Sequence, residues 1–328
     1  MADFKDIIGQ EQIIHHMQNA IRQKKMSHAY LLCGEAGSGK RLLAEAFAKT
    51  VLCEEGGIEA CGKCKSCKQT ESGNHPDFRV VVREKATLGV KEIREQVASD
   101  VQIKPYSSPY KIYWIDEAEK MTEEAQNALL KTIEEPPEYA IFLLSVSRQE
   151  LLLQTVLSRC VLLPLHPVAT ERIKKFLMEK KGVPDYLAHS AASFSGGLVG
   201  RAVQYAESET FIEQRKDVLH LVKYIDEMTM AEVMENVKLF AGKKESAGEY
   251  LELILLWYRD VLLYKATKKV DGLLFSDELE AVAMQAGKRS FENLQGIVEA
   301  LEQVKQRLKA NVNFENALEL LLLYMKEV

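Results

Sequence analysis

The 328-residue sequence carries 43 Lys and Arg against 48 Asp and Glu, a formal charge of -5. This excludes a protein whose whole surface grips nucleic acid, since phosphate neutralisation needs clustered cations. With 47% hydrophobic and 28% charged residues the chain is an ordinary globular one long enough for two or three domains. The start of the sequence lacks a basic segment followed by an apolar run, and no apolar stretch approaches membrane-spanning length, so a cytosolic protein with reduced cysteines is expected.

The first predicted strand is Ala29–Cys33, followed by Gly34-Glu-Ala-Gly-Ser-Gly39-Lys40 and then a helix carrying Leu42, Leu43, Ala46 and Phe47. A Gly-rich turn between a strand and a helix is the context of a phosphate-binding loop. Gly34, Gly37 and Gly39 allow a tight backbone path whose N–H groups surround phosphate oxygens, and Lys40 would reach the terminal phosphates. The plainer reading is a strand-to-helix turn without ligand. The next position should hold Ser or Thr to coordinate Mg²⁺, yet it is Arg41. Guanidinium has only donors and cannot coordinate a cation. It either pairs with phosphate, so that binding survives while hydrolysis is lost, or it points to solvent and water completes the metal shell.

Next come Cys53, Cys61, Cys64 and Cys67, spaced C-x7-C-x2-C-x2-C with Gly56, Gly57 and Gly62 between them. Four thiolates suit a tetrahedral Zn²⁺ of structural type, because no position is left for an activated water. An iron–sulfur cluster and four reduced thiols are the competing readings. His75 is not needed as a ligand, and Cys33 and Cys160 are expected to be buried strand residues.

Further strands are predicted at 78–82, 111–115, 140–145 and 160–163, short apolar runs as expected for a parallel sheet covered on both faces. Between them, Val90, Ile93, Val97 and Val101, and then Ala125, Leu129 and Ile133, recur at helical spacing. The run Ile112–Ile115 ends in Asp116-Glu117. In a working ATPase the first acid holds the metal through water and the second polarises the attacking water; here structural roles such as helix capping are also open. Ser145 and Ser147 come at the end of the fourth strand, where serines are often plain turn or cap residues.

After His166-Pro167 the strand pattern stops. A small helical domain is expected from 167 to 208, with Ser195-Gly-Gly197 as a turn, and a helical bundle from 209 to 328. The whole therefore reads as an α/β domain over 1–166, with the cysteine module inserted at about 53–67, and two helical domains after it.

Taken together, Ile8-Gly9-Gln10, His28-Ala-Tyr-Leu-Leu, the cysteine cluster, Ile115-Asp-Glu-Ala-Glu-Lys-Met121, Asn127–Pro137 and Leu157-Ser-Arg-Cys160 resemble the bacterial AAA+ clamp-loader family. The resemblance implies an AAA+ phosphate-loop domain, a lid and a collar. It implies a non-motor, stator subunit of the DNA polymerase III clamp loader, in a hetero-pentamer with tau or gamma motor subunits and a delta subunit, that helps place the beta sliding clamp on primer–template DNA. Zn²⁺ would be structural. ATP and Mg²⁺ would be used by the neighbouring subunit, to which Arg159 supplies an arginine finger in trans; on its own the triplet Ser158-Arg159-Cys160 reads as a surface Arg paired with a carboxylate. The resemblance also places Ser145 or Ser147 where a residue sensing γ-phosphate would lie, and in Gly196-Gly-Leu-Val-Gly-Arg201, similar to a lid motif, Gly200 falls where a second sensor arginine is expected, a second departure alongside Arg41. No ATPase of its own is expected, although the chain would be a component of a DNA-directed DNA polymerase holoenzyme. Two rivals are an active AAA+ motor and a zinc-dependent nucleic-acid module; the second lacks aromatic residues in its cluster for stacking bases.

Overall fold

The computed structural model describes residues 3–243, 246–270, 272–309 and 314–328. Five parallel strands form one sheet: β1 (Ala29–Cys33), β2 (Phe78–Val80), β3 (Lys111–Ile115), β4 (Ala140–Val146) and β5 (Val161–Pro164), in the order β2-β3-β4-β1-β5. Ala29 faces Phe142 and Lys111 faces Ala140 in the register. Alternation of side chains across a strand explains the two cores. Leu31, Tyr113, Ile115, Phe142 and Leu144 point to one face, and Tyr30, Leu32, Ile112, Trp114, Ile141 and Leu143 to the other, all of them buried. With both faces covered, each central strand reads as an unbroken apolar run.

Helices α1 (Glu11–Arg22) and α2 (Lys40–Val51) supply Ile13, Met17, Leu43 and Phe47 to the second of these faces. The first face is covered by α4 (Val90–Ile93) with its continuation and by α5 (Glu123–Glu134), which bury Ile93, Val97, Ala125, Leu129 and Ile133. The stripe Val90–Val101 is thus apolar as predicted, but it is not one α-helix. It passes from α4 into a π-helical stretch, Arg94–Ala98, and a 3₁₀ turn, Asp100–Gln102. Strand β2 also stops two residues short of the predicted end. The side-chain amide of Gln96 satisfies both backbone groups of Val82, at 2.8 and 2.7 Å, which takes them out of the ladder. Strand β5 begins one residue late because the Cys160 N–H closes a turn onto Leu157 O. Cys160 therefore lies before β5, and both it and Cys33, the last residue of β1, are half-buried rather than buried.

The short α3 (Lys65–Glu71) carries two of the clustered cysteines at its start, Cys64 as N-cap and Cys67 in its first turn. Another short helix, α6 (Gln154–Leu157), precedes Arg159. The remaining helices are α7 (Thr170–Lys181), α8 (Asp185–Phe194), α9 (Val199–Glu207), α10 (Glu209–Tyr224), α11 (Met230–Gly242), α12 (Ala247–Thr267), α13 (Leu279–Lys288), α14 (Phe291–Lys309) and α15 (Phe314–Glu327). The chain divides into two compact units, residues 1–181 with 195–203 and residues 182–194 with 204–328. Helix α7 belongs to the unit of the sheet and α8 to the helical unit. The helical unit has its own core, with Trp257, Tyr250, Phe275 and Leu321 buried. Two of its buried polar groups are paired, Trp257 Nε1 donating to Gln285 Oε1 at 2.9 Å and Asp260 accepting from Phe275 N at 2.8 Å, whereas the buried Tyr258 hydroxyl has no hydrogen-bond partner among the described residues. No helix among the described residues is long and apolar enough to cross a membrane.

Candidate functional site

The phosphate loop leaves β1 and enters α2, and it lines a cleft of about 540 Å³ together with Asp116, Glu117, Glu119, Ser145, Ser147, Phe176 and Gly200. Gly37 and Gly39 take φ of +85° and +97°, which side-chain-bearing residues rarely adopt. Gly34 needs space instead: a Cβ there would lie 2.9 Å from Ser38 Oγ and 3.2 Å from Leu165 Cβ. The glycines of the loop are therefore explained by local geometry, and its lysine is engaged by the protein, while Ser38 Oγ is buried without a partner among the described residues. Lys40 Nζ donates to Gly34 O and, at 2.9 Å, to Glu35 O. Burial holds its ammonium below the usual lysine range against the pull of Glu119 and Asp116.

Arg41 turns away from the loop. Its Nε donates to Glu45 Oε1 at 2.9 Å, one helical turn on, and its side chain is 71% exposed. No hydroxyl stands in its place, so the residues present fit a phosphate cradle but not the usual Mg²⁺ shell. The tip of the loop is closed by α9: Gly200 N donates to Gly37 O at 2.8 Å, and a Cβ on Gly200 would meet that oxygen at 3.0 Å. At the position expected to carry a sensor arginine, even a methyl group would be tight against the loop backbone, which would have to give by a few tenths of an ångström.

At the end of β3 the two acids are similarly engaged. Asp116 Oδ1 accepts from Ser145 Oγ at 2.5 Å and from Glu117 N at 3.1 Å, and Glu117 N also approaches Ser145 Oγ at 3.0 Å. Glu117 lies in the left-handed region at φ 49°, a conformation that costs a non-glycine residue about 1–3 kcal/mol. Its carboxylate pairs with Arg83 at 2.5 Å. Ser145 is inside β4 and braces Asp116, whereas Ser147 lies beyond the strand with its N–H on Glu119 Oε1 at 2.9 Å.

Arg159 is outside this cleft. Its guanidinium pairs with Glu134 at 2.8 Å and donates to Thr155 O at 2.9 Å and Ser158 Oγ at 3.1 Å, with the side chain 39% exposed. Sequence reasoning did not single out Glu134 at the end of α5, since a carboxylate in Glu-Glu-Pro-Pro gives no sign of its distant partner.

The four cysteines do converge. The sulfurs of Cys53, Cys61, Cys64 and Cys67 all lie within 4.8 Å of one another, Cys61 and Cys67 at 3.9 Å. A tetrahedral ion with bonds of about 2.3 Å to sulfur needs sulfurs about 3.8 Å apart, so the set fits such an ion. Backbone N–H groups of Cys61, Cys64 and Cys67 approach the sulfurs of Cys53, Cys61 and Cys64 at 3.5, 3.3 and 3.4 Å. Such donors favour the thiolate over the thiol. Burial pushes the Cys64 thiol up, but hydrogen bonds from the Cys67 and Glu54 backbone and from the neighbouring thiols outweigh it and bring it to about 7, whereas burial keeps the Cys53 and Cys67 thiols above the usual range. Buried Lys49 of α2 ties the far end of α3 down through Glu71 at 2.8 Å. Neither Lys49 nor the buried Ser66–His75 pair at 2.8 Å was legible beforehand, because nothing in their local spacing marks them as supports.

Two family models match the chain, one described as DNA polymerase III, delta subunit, over residues 9–169 and one as DNA polymerase III, delta subunit, C terminal, over residues 209–327. The Bacillus subtilis protein DNA polymerase III subunit delta' is 31% identical over 322 residues, covering 97% of this chain and 96% of its own. The chain belongs to the delta-prime family of DNA polymerase III clamp-loader subunits. The delta-prime protein of Pseudomonas aeruginosa is 32% identical over 309 residues, covering 90% of both chains. The tau subunit of Bacillus subtilis is also 31% identical, over 83% of this chain but only 52% of its own. The correspondence thus runs nearly the full length of the delta-prime proteins and about half the length of tau.

Proposed function

We propose that the chain is the non-motor, stator subunit of a DNA polymerase III clamp loader, one that lends a charge to its neighbour and does not hydrolyse ATP itself. The observation that carries this reading is the Mg²⁺-ligand position, where Arg41 is drawn out onto Glu45. Gly200 packed on the loop tip supports it independently.

Arg159 acts as the finger. It stays charged at any physiological pH and presents a planar donor set suited to the charge that develops on a transferred γ-phosphoryl. For this it exchanges Glu134 for phosphate of the adjoining motor subunit, an exchange that is inexpensive for a pair some 40% exposed on each side. The helices of the C-terminal unit form the collar with tau or gamma and delta subunits. The loader acts in the cytoplasm on the sliding clamp and primer–template DNA. The four cysteines hold one structural Zn²⁺.

The test is ATP turnover by the reconstituted loader, with DNA and clamp present and the other ATP sites silenced by substitutions in the motor subunits. Arg159→Ala is expected to lower turnover at the site it faces about 10³-fold, with the lone chain inactive throughout. Unchanged turnover rejects the finger, and brisk hydrolysis by the lone chain rejects the stator.

A further inference from the structure

The cysteine cluster connects to a distant surface loop through a row of buried polar side chains. Ser66 lies between the ligands Cys64 and Cys67 in α3. Its hydroxyl donates to Leu52 O at 2.5 Å and meets His75 Nε2 at 2.8 Å. On the other side of the ring, Asp77 N donates to His75 Nδ1 at 3.1 Å. These partners fix the tautomer. Nδ1 must be the acceptor, so Nε2 carries the proton and gives it to Ser66 Oγ, whose own hydrogen is already on Leu52. Burial, against the opposing pull of Asp77 and Glu54, holds the ring below the usual imidazole range and therefore neutral.

The row continues through Asp77, which is 1% exposed. Its carboxylate accepts the N–H groups of Tyr106, Ser107 and Ser108 at 2.5, 2.8 and 2.9 Å, and the Ser107 hydroxyl at 3.0 Å. Asp77 thus organises a loop that carries Tyr106 at 87% exposure, with Ile103 at 63% on its approach. Every polar group between the cysteines and this loop has a partner, and each of Ser66, His75 and Asp77 is at most 3% exposed. A fully satisfied buried row of this kind transmits displacement, since moving one member strands the next one's donor or acceptor.

We propose that His75 is a positioning residue coupling metal occupancy of the cysteine site to the loop that presents Tyr106, so that the metal orders a surface as well as its own module. This rests on the metal reading of the cluster. The coupling is reciprocal by thermodynamic necessity: if metal steadies the loop, loosening the row loosens the metal by the same factor.

The experiment uses the full chain purified with zinc, with zinc content measured first and backbone hydrogen exchange second. One zinc per chain is expected. Stripping it with a chelator should raise exchange at Tyr106, Ser107 and Ser108 at least about tenfold, with Leu31 and Leu32 in β1 unchanged. Ser66→Ala keeps all four cysteines and should speed the same three amides while zinc is still bound. It should also weaken zinc affinity by the same factor of about ten, as the reciprocity requires. If Ser66→Ala disturbs β1 as well, His75→Gln, which offers one acceptor and one donor, should retain loop protection where His75→Ala loses it. A chain without zinc rejects the metal reading and the coupling with it. Bound zinc with loop exchange indifferent to chelation and to Ser66→Ala overturns the coupling alone.

Discussion

The phosphate-loop cleft and the cysteine cluster lie in the same compact unit, and their polar groups are disposed in opposite ways. In the cleft, four charged side chains that would face a nucleotide or its metal have protein partners, Lys40 on loop carbonyls, Arg41 on Glu45, Asp116 on Ser145 and Glu117 on Arg83, while Ser38 Oγ and one oxygen of Glu119 are buried without one among the described residues. In the cluster, four sulfurs converge on one point with backbone N–H groups behind them. A pocket released from catalysis can satisfy its donors and acceptors internally, because unpaired buried groups are costly. A site that requires a ligand keeps its donors aimed at a common centre, where only the ligand can relieve them.

The largest effect that bears on this contrast is expected at the cluster. Cys64→Ser should abolish stoichiometric zinc and cost roughly 3 kcal/mol or more, seen as a large fall in thermal midpoint, while affinity for DNA changes far less. A normal midpoint with the metal gone would show the cysteines to be as internally satisfied as the cleft. A smaller effect is expected at the loop tip. Gly200→Ala introduces a Cβ 3.0 Å from Gly37 O and 3.1 Å from its Cα, and overpacking of this kind costs about 1–3 kcal/mol. Urea denaturation with an undiminished midpoint would mean that α9 is free to lift off the loop. The smallest effect belongs to Arg41→Thr. It restores a hydroxyl while removing an ion pair whose arginine is exposed and whose glutamate is largely buried, so stability should fall by less than about 1 kcal/mol. ATP turnover should stay at background, since Gly200 still closes the loop. Measurable hydrolysis by this variant would mean that a single residue separates the pocket from a working one.

Much of the sheet was legible because its strands are short apolar runs buried on both faces, and a run such as Ile112–Ile115 admits few other structures. The phosphate loop and the cysteine spacing were legible for a similar reason: their geometry is set by residues close in sequence. Other features were not. The early end of β2, where Gln96 takes the backbone of Val82, and the engagement of Ser145 with Asp116 depend on side chains brought together across the fold.

By itself the sequence determined the order of strands and helices, the departures at Arg41 and Gly200 and the four-thiol set, since each depends on residue identity and local spacing. Only the tertiary structure decided which distant partners certain residues meet: Arg159 meets Glu134, Gly200 meets Gly37, Ser145 meets Asp116 and Asp77 meets the loop at Tyr106. The physical reason is that a hydrogen bond or close contact between residues far apart in the chain is fixed by packing of the elements that carry them, and the local pattern of neither residue contains its partner.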